Sequence, residues 1–558
     1  LGGGTGAGLT KTGNGVLVLT GLNSSGSQGW GGDTIVNGGL IQFSQLTNFG
    51  LGNIDLSNGA GLQWGANSTT DISAINIFLN SGGGTLDTNG NNVTLTNPIG
   101  RAGGGDLIKS GNGILTLGAS NDGNITGNVV INGGTTNGTL GGISITNDLQ
   151  LGSVPVTPTV ALTLNGGALV AGSNLSLSGN RNIAIGNGSA GNFTGIFQIP
   201  TGDALTYSSV ISNNGNSTGQ LILQGGGTLF FGSSQAGTYT GGTIVNGAIL
   251  NFSQLGSGGG ELGVGNIEFT GNSSMIFGNV GGMVGNKVIV DNGVTLNLTI
   301  GSHTTNSFGG WALAGSGNIN ITALGVSEQL TGDLGNFTGN VTLIGTAGDD
   351  GFNFRFDPNG AGSGNVGFYN ATVFMAPNTT INPRNGGSSF TNNVHGLGAL
   401  NGGPTNTLSG ASAQSGDTTY LLGVTGRTST FSGNIVNNGG NLTALEIGAG
   451  TFILNTDFSN VTNTTSAATL NDWSGPTIID SGATLQVGDG IVSTTALGNH
   501  GANGTIDNGL LVLDLAVFGS KNLSDILNTN ITITATNPSS FGNRLSANIT
   551  GNGSLQDL

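Results

Sequence analysis

The 558-residue chain contains no cysteine, which excludes disulfides, thiolate metal sites and a cysteine nucleophile. Charge is nearly as scarce: ten lysines and arginines stand against 26 aspartates and glutamates, for a net charge of −16, and no basic run occurs. Phosphate neutralisation needs clustered cations, so nucleic acid and anionic lipid surfaces are poor partners for this chain. The carboxylates read instead as solubilising groups on a long, mostly uncharged surface. No stretch approaches the roughly 18 consecutive apolar residues of a membrane-spanning helix. The chain opens at Leu1 without a charged-then-apolar leader, so any secretion signal is expected to have been removed or to lie outside this sequence. No segment carries a helical apolar period with caps, and almost no α-helix is expected.

What the chain has in excess is glycine, 112 residues of it, and internal copies. TIVNGGLIQFSQL at Thr34–Leu46 returns as TIVNGAILNFSQL at Thr243–Leu255 with nine of thirteen positions identical. Self-similarity of this kind marks a stacked repeat architecture. Composition is uniform from end to end, so residues 1–558 read as one continuous body with no separate catalytic or membrane domain.

Three motifs recur. A Gly-Asn-Gly turn precedes alternating apolar residues in GNGVLVLTG at Gly13–Gly21 and GNGILTLG at Gly111–Gly118, where glycine supplies the positive φ of a tight corner. Aromatic-x-Gly-x-Thr precedes a β-branched strand in WGGDTIV at Trp30–Val36, YTGGTIV at Tyr239–Val245 and WSGPTII at Trp473–Ile479. The third motif gives GNIDLSNG at Gly52–Gly59 and GNIEFTGN at Gly265–Asn272. Short strands with Gly-rich corners also suit antiparallel hairpins, but hairpin sheets do not require a strand–turn–strand cassette to recur in order. A parallel solenoid does, because each coil is the template for the next. Period-2 alternation then places Leu17, Leu19, Ile35, Ile244, Ile478 and Leu485 in one core, with the copies stacked in register. Uneven spacing between copies implies loops that protrude from some coils.

GLTKTGNGVLVLTG at Gly8–Gly21, joined to WGGDTIVNGGLIQF at Trp30–Phe43, resembles the passenger-associated β-strand repeat of bacterial autotransporters, as do DLIKSGNGILTLG at Asp106–Gly118 and WSGPTIIDSGATLQVG at Trp473–Gly488. The resemblance implies an all-β, right-handed parallel β-helix, export to the cell surface, and a stalk or adhesive role. A membrane barrel of alternating amphipathic strands is not present in ANITGNGSLQDL at the end of the chain. TGNGSL at Thr550–Leu555 echoes TGNGVL at Thr12–Leu17, so the last coil is expected to be uncapped: a fragment of a longer solenoid, or a subunit that stacks end to end.

Catalytic signals are thin. GNSTG at Gly215–Gly219 fits the hydrolase elbow pattern around Ser217 but lacks its strand-to-helix context. GDDGFNFRFD at Gly348–Asp357 gathers Asp349, Asp350 and Asp357 near Arg355; a turn leading into a strand with core phenylalanines is the favoured reading over an active or calcium site, with Phe352 and Arg355 kept as candidate partner contacts. Trp30, Tyr239 and Trp473, at one repeat position, form either a glycan-binding stripe or, preferably, structural stacking at a coil corner. His303, His395 and His500 are too far apart for a local metal motif and read as solvated loop residues. Sequons such as those at Asn124 and Asn192 follow from composition. The expectation is a non-enzymatic surface protein with no cofactor and no metal, contacting glycans or proteins of neighbouring cells. The runner-up is a β-helical polysaccharide lyase or hydrolase, which needs clustered carboxylates in a groove.

Overall fold

A computed structural model describes residues 6–21, 30–133, 135–136, 139–232, 237–253, 261–278, 286–301, 307–324, 327–345, 352–356, 366–383, 393–411, 416–456, 473–488, 505–513, 530–533, 547–550 and 554–557. These form a parallel β-solenoid of about 15 turns. Among the described residues there is no α-helix, only the 3-10 segments Leu46–Asn48 and Asp148–Leu151. The one antiparallel strand pair there joins Thr135–Thr136 to Thr139–Ile145. Contacts divide the chain into two compact units, residues 1–255 with 259–273 and residues 256–258 with 274–558.

In the first unit, each ladder is a column of short strands, one per coil. The first ladder stacks Leu9–Lys11, Thr34–Val36, Ile54–Leu56 and Ile77–Leu79. A second runs from Val16–Val18 through Leu40–Phe43, Gly61–Trp64, Gly84–Asp87, Leu107–Ser110 and Val129–Asn132 to Thr159–Asn165. A third takes over beyond the first, from Val93–Leu95 by way of Gly113–Leu117, Thr139–Ile145, Ala168–Ala171, Arg181–Gln198 and Ile211–Gln224 to Thr243–Asn246. The second unit repeats the scheme: Thr295–Ile300, Asn318–Ala323, Asn340–Gly345 and Thr372–Met375 stack in one ladder, and Thr418–Leu422, Thr443–Ile447 and Thr477–Ile479 in another.

Parallel pairing in register turns each inward position into a column. Ile41, Leu62 and Leu86 follow one another on the second ladder, all fully buried. Each such side chain contributes about 1.5–3 kcal/mol by leaving water. Outward columns bond along the stack too: Gln42 Nε2 donates to Gln63 Oε1 at 2.8 Å, and Gln63 Nε2 to Asp87 Oδ2 at 2.7 Å. Amide ladders of this kind reward registry, because like side chains sit directly above one another.

Two details correct the sequence reading, and a third adds to it. First, Ile35, Ile244 and Ile478 point outward and are half-buried, whereas Thr34, Val36, Thr243, Val245, Thr477 and Ile479 are buried; Leu19 and Leu485 do face the core, and Leu17 is half-buried. The reason is a clamp shared by the three copies. Trp30 Nε1 donates to Thr34 Oγ1 at 3.0 Å, the Tyr239 hydroxyl and Thr243 Oγ1 share a 2.6 Å bond, and Trp473 Nε1 donates to Thr477 Oγ1 at 3.2 Å. A buried ring with a polar tip needs a partner, and threonine four residues on supplies it. Second, the copies at Thr34 and Thr243 lie in separate ladders, so what repeats is the corner, not a stack of identical strands.

Third, the lysine of each Lys-x-Gly-x-Gly run sits in an interior column: Lys109 falls between Leu86 and Ile131, and is fully buried. Its Nζ turns back to the corner, donating to the carbonyls of Ser110 and Gly111 at 2.7 and 2.8 Å; Lys11 Nζ does the same to Thr12, Gly13 and Gly38 at 2.7–3.0 Å. The corner itself needs glycine: Gly13 and Gly111 both have φ of +71°.

Replacing Thr243 by valine removes the partner of a buried phenol and should cost about 1–3 kcal/mol in denaturant unfolding. Ile244→Thr, at the outward neighbour, should cost less, although it discards the more apolar residue. Lys109 gives a pH test. Burial, partly opposed by the Asp87 carboxylate, lowers its pKa from 10.5 to about 8. Between those values the unfolded chain holds a proton that the folded chain has released, so stability should rise with pH, by up to about 3 kcal/mol. Above pH 10 the trend should reverse, because burial raises the pKa of Tyr207, Tyr239, Tyr369 and Tyr420 and only the unfolded chain loses those protons. Unfolding curves from pH 7 to 11 would show the maximum, and Lys109→Met should abolish the rising limb.

Candidate functional site

The site the structure presents is a groove of about 1000 Å³ on the first unit. Its floor includes Ile222 and Ile244, register partners on the outward side of the third ladder and both half-buried. Ile244 is thus a lining residue, not a core residue. Beside them stand Gln224 and Asn246, also paired in register; Gln224 Nε2 donates to Gln198 Oε1 of the preceding coil at 2.8 Å. The second-ladder strands of earlier coils contribute Asn132 and Asn165 at their ends, which are register partners, and Asn165 Nδ2 donates to Asn132 Oδ1 at 2.8 Å.

One wall is a projecting flap. Arg181–Gln198 and Ile211–Gln224 are unusually long because each runs through two ladders, and their middles pair with each other beyond the body of the coil. Ser217 is the latch of this flap: its hydroxyl donates to the Ser189 carbonyl at 3.0 Å and accepts from the Gly188 amide at 3.1 Å. It is 2% exposed in a parallel strand, so both the exposure and the turn required of a nucleophile elbow are absent. Asn192 is exposed and Phe193 half-buried on the groove side. Arg181 anchors the base of the flap in the interior, with Nε 2.6 Å from Asp148 Oδ1 and Nη2 donating to the Gly152 carbonyl at 3.0 Å. A buried pair of this kind needs further hydrogen bonds to offset its lost hydration, and Nη2 makes them to backbone carbonyls here.

Among the described residues, the lining carries no lysine, arginine, histidine, aspartate or glutamate. What it offers is a strip of hydrocarbon bordered by amides, each amide presenting donor and acceptor together. An acid–base pair, which polysaccharide cleavage requires, is not among these groups.

The residues singled out from the sequence fall elsewhere. Trp30, Tyr239 and Trp473 are at most 3% exposed, in the corner clamps, and present no ring face to a glycan. The backbone of Phe352–Phe356 pairs with Ser327–Phe337 and Thr379–Ile381. The side chains of Phe352 and Arg355, together with Asp349, Asp350, Asp357, His303 and His500, lie outside the described residues, as do residues 551–553 near the end of the sequence. His395 is not a solvated loop residue: it is fully buried in the strand Val394–Gly402, in register with Tyr420, and burial lowers its pKa to about 3. No group of three or more metal-ligating side chains occurs among the described residues. The groove was missed from the sequence although a signal for it exists, in the strand-ending Asn-Gly pairs at Asn132, Asn165 and Asn246.

Because the unfolded chain binds a proton at His395 between about pH 6.5 and 3 while the folded chain does not, stability should fall as pH drops through that window. Acid titration of unfolding, with His395→Phe flattening the loss, checks this.

Comparison with known proteins gives one partial likeness. The chain is 30% identical over 166 residues to the protein named Adhesin BmaC autotransporter of Brucella suis biovar 1 (strain 1330). That stretch is 29% of this chain and 4% of the relative, so the chain spans only a small part of that protein's length. No known protein family and no solved structure matches the chain.

Proposed function

We propose that the chain is a solenoid segment of an extracellular or bacterial cell-surface protein that acts mechanically and by adhesion, as stalk, adhesin or fibre component. The observation that carries the reading is the pairing of a stiff parallel ladder with an open groove that has binding groups and no catalytic ones. The partial likeness to a protein named as an autotransporter adhesin supports it. So do the corner motifs, whose clamps and lysine staples make the coil self-templating. Among the described residues no helix is long and apolar enough to cross a membrane. Partners are glycans or proteins on neighbouring surfaces, and self-association through strand edges belongs to the same proposal.

Beads coated with the purified chain should adhere to cells more than beads coated with an inert protein. Incubation with neutral and acidic polysaccharides should release neither new reducing ends nor unsaturated sugars. Sustained release of either product would overturn the reading in favour of a polysaccharide lyase or hydrolase.

A further inference from the structure

We infer that the groove of the first unit is a binding site for an extended, uncharged polysaccharide, an assignment that rests on the adhesive reading and specifies its ligand. Three observations lead there. The groove is amphipathic: Ile222 and Ile244 form an outward apolar pair on the third ladder, Gln224 follows Ile222 two residues on along the same strand, and the amides of Asn132 and Asn165 at the ends of second-ladder strands line it as well. A sugar ring has the same pattern, C–H groups on its faces and hydroxyls around its rim. An amide satisfies such a rim well, since one side chain donates and accepts at once. The half-buried ring of Phe193 adds an apolar surface at the wall.

The second observation is periodicity. Asn132 and Asn165 are one coil apart in register, as are Ile222 and Ile244. Parallel strands stack about 4.8 Å apart, comparable to the advance of one sugar along an extended chain, so each pair offers two successive sugars the same group. A polymer of like units matches a lattice of like side chains; a folded protein surface does not. Protein interfaces also concentrate tryptophan, tyrosine and arginine at their centres, and none of these lines the groove.

The third observation is charge. With no ionisable group among the described lining residues, uronates, sulfated glycans and phosphates find no counter-charge there. Each would surrender hydration without repayment. A neutral glycan loses only hydrogen bonds that the amides replace. The geometry also leaves capacity for them: the Asn132–Asn165 bond uses one donor and one acceptor of the two amides, which together hold four N–H donors and two carbonyl oxygens.

The test uses the full chain, immobilised, with a panel of soluble neutral glucans, mannans and galactans as probes and polygalacturonate and heparin as charged comparators. Binding to at least one neutral polymer is expected, retained in about 1 M salt, where electrostatic attraction is screened beyond about 3 Å. Ile244→Asp, which sets a carboxylate on the half-buried floor, and the double change Asn192→Ala with Phe193→Ala should each weaken that binding tenfold or more, with circular dichroism unchanged and unfolding midpoints lowered only slightly. Should one variant misfold, the other carries the comparison. Binding confined to the charged polymers, no binding across the neutral panel, or neutral binding untouched by both variants would overturn the assignment. Bead adhesion run alongside separates the two claims: adhesion that persists in both variants sinks the groove and leaves the adhesive reading standing, while loss of all adhesion by the unmodified chain sinks that reading.

Discussion

In-register parallel stacking is the constraint on which every other feature depends. Each strand is bonded to the strand one coil before and one coil after, so a residue's direction is fixed by its neighbours along the stack as much as by its own chemistry. A slip of one residue would turn Ile41, Leu62 and Leu86 outward together, and the column would lose its burial at once. Registry is therefore the shared property of a ladder, and the chain spends its unusual composition on protecting it. Scarcity of charge follows from this, because like charges stacked in one column would repel at close range.

Corners are where the constraint is hardest to satisfy. A coil must turn sharply, and the turning backbone leaves carbonyls and amides without ladder partners, each costly if buried unbonded. The solution is to bring polar side chains into the interior and aim them at the corner. Lys11 and Lys109 bond corner carbonyls, and Arg181 meets both Asp148 and the backbone of the adjacent turn. The aromatic–threonine clamp solves the complementary problem, filling the bend with a large ring whose polar tip is satisfied inside. Burying a lysine costs solvation, which its lowered pKa records. Solvation is offset here by carbonyls that would otherwise have gone unpaired.

Much of the fold was legible in the sequence, because solenoids advertise themselves through recurring cassettes and Gly-rich corners. The phase of Thr-Ile-Val was not. Hydrophobicity alone assigns the isoleucine to the core; only the aromatic residue four positions before the threonine, read as a hydrogen-bond partner, reverses that choice. Ladder identity was also hidden. Thr34 and Thr243 carry the same local words yet stand in different ladders, since the ladder of Thr34 ends at Ile77–Leu79 while that of Thr243 starts at Val93–Leu95. His395 misled for a related reason: a lone histidine among glycine and asparagine looks like a loop, and strand register with Tyr420 is invisible until the chain is folded. The groove was unreadable because its lining comes from coils remote in sequence, although the recurring Asn-Gly strand ends marked one of its walls.

Registry also explains how a body with so little chemical variety can hold a specific surface. Inward columns are bound by packing, so exchange there is costly. Outward columns are bound only by spacing, and whatever occupies them is repeated along the stack at a fixed interval. A single isoleucine or asparagine on such a face is unremarkable, but the same residue one coil later makes a stripe with a defined period. Where two ladders meet, at the ends of the second-ladder strands and the outer face of the third, the stripes differ in polarity and a projecting flap encloses them. The groove is thus a consequence of the same stacking that builds the core: the ladder that forces Thr243 inward forces Ile244 outward, and the residue lost to the interior becomes part of the groove floor.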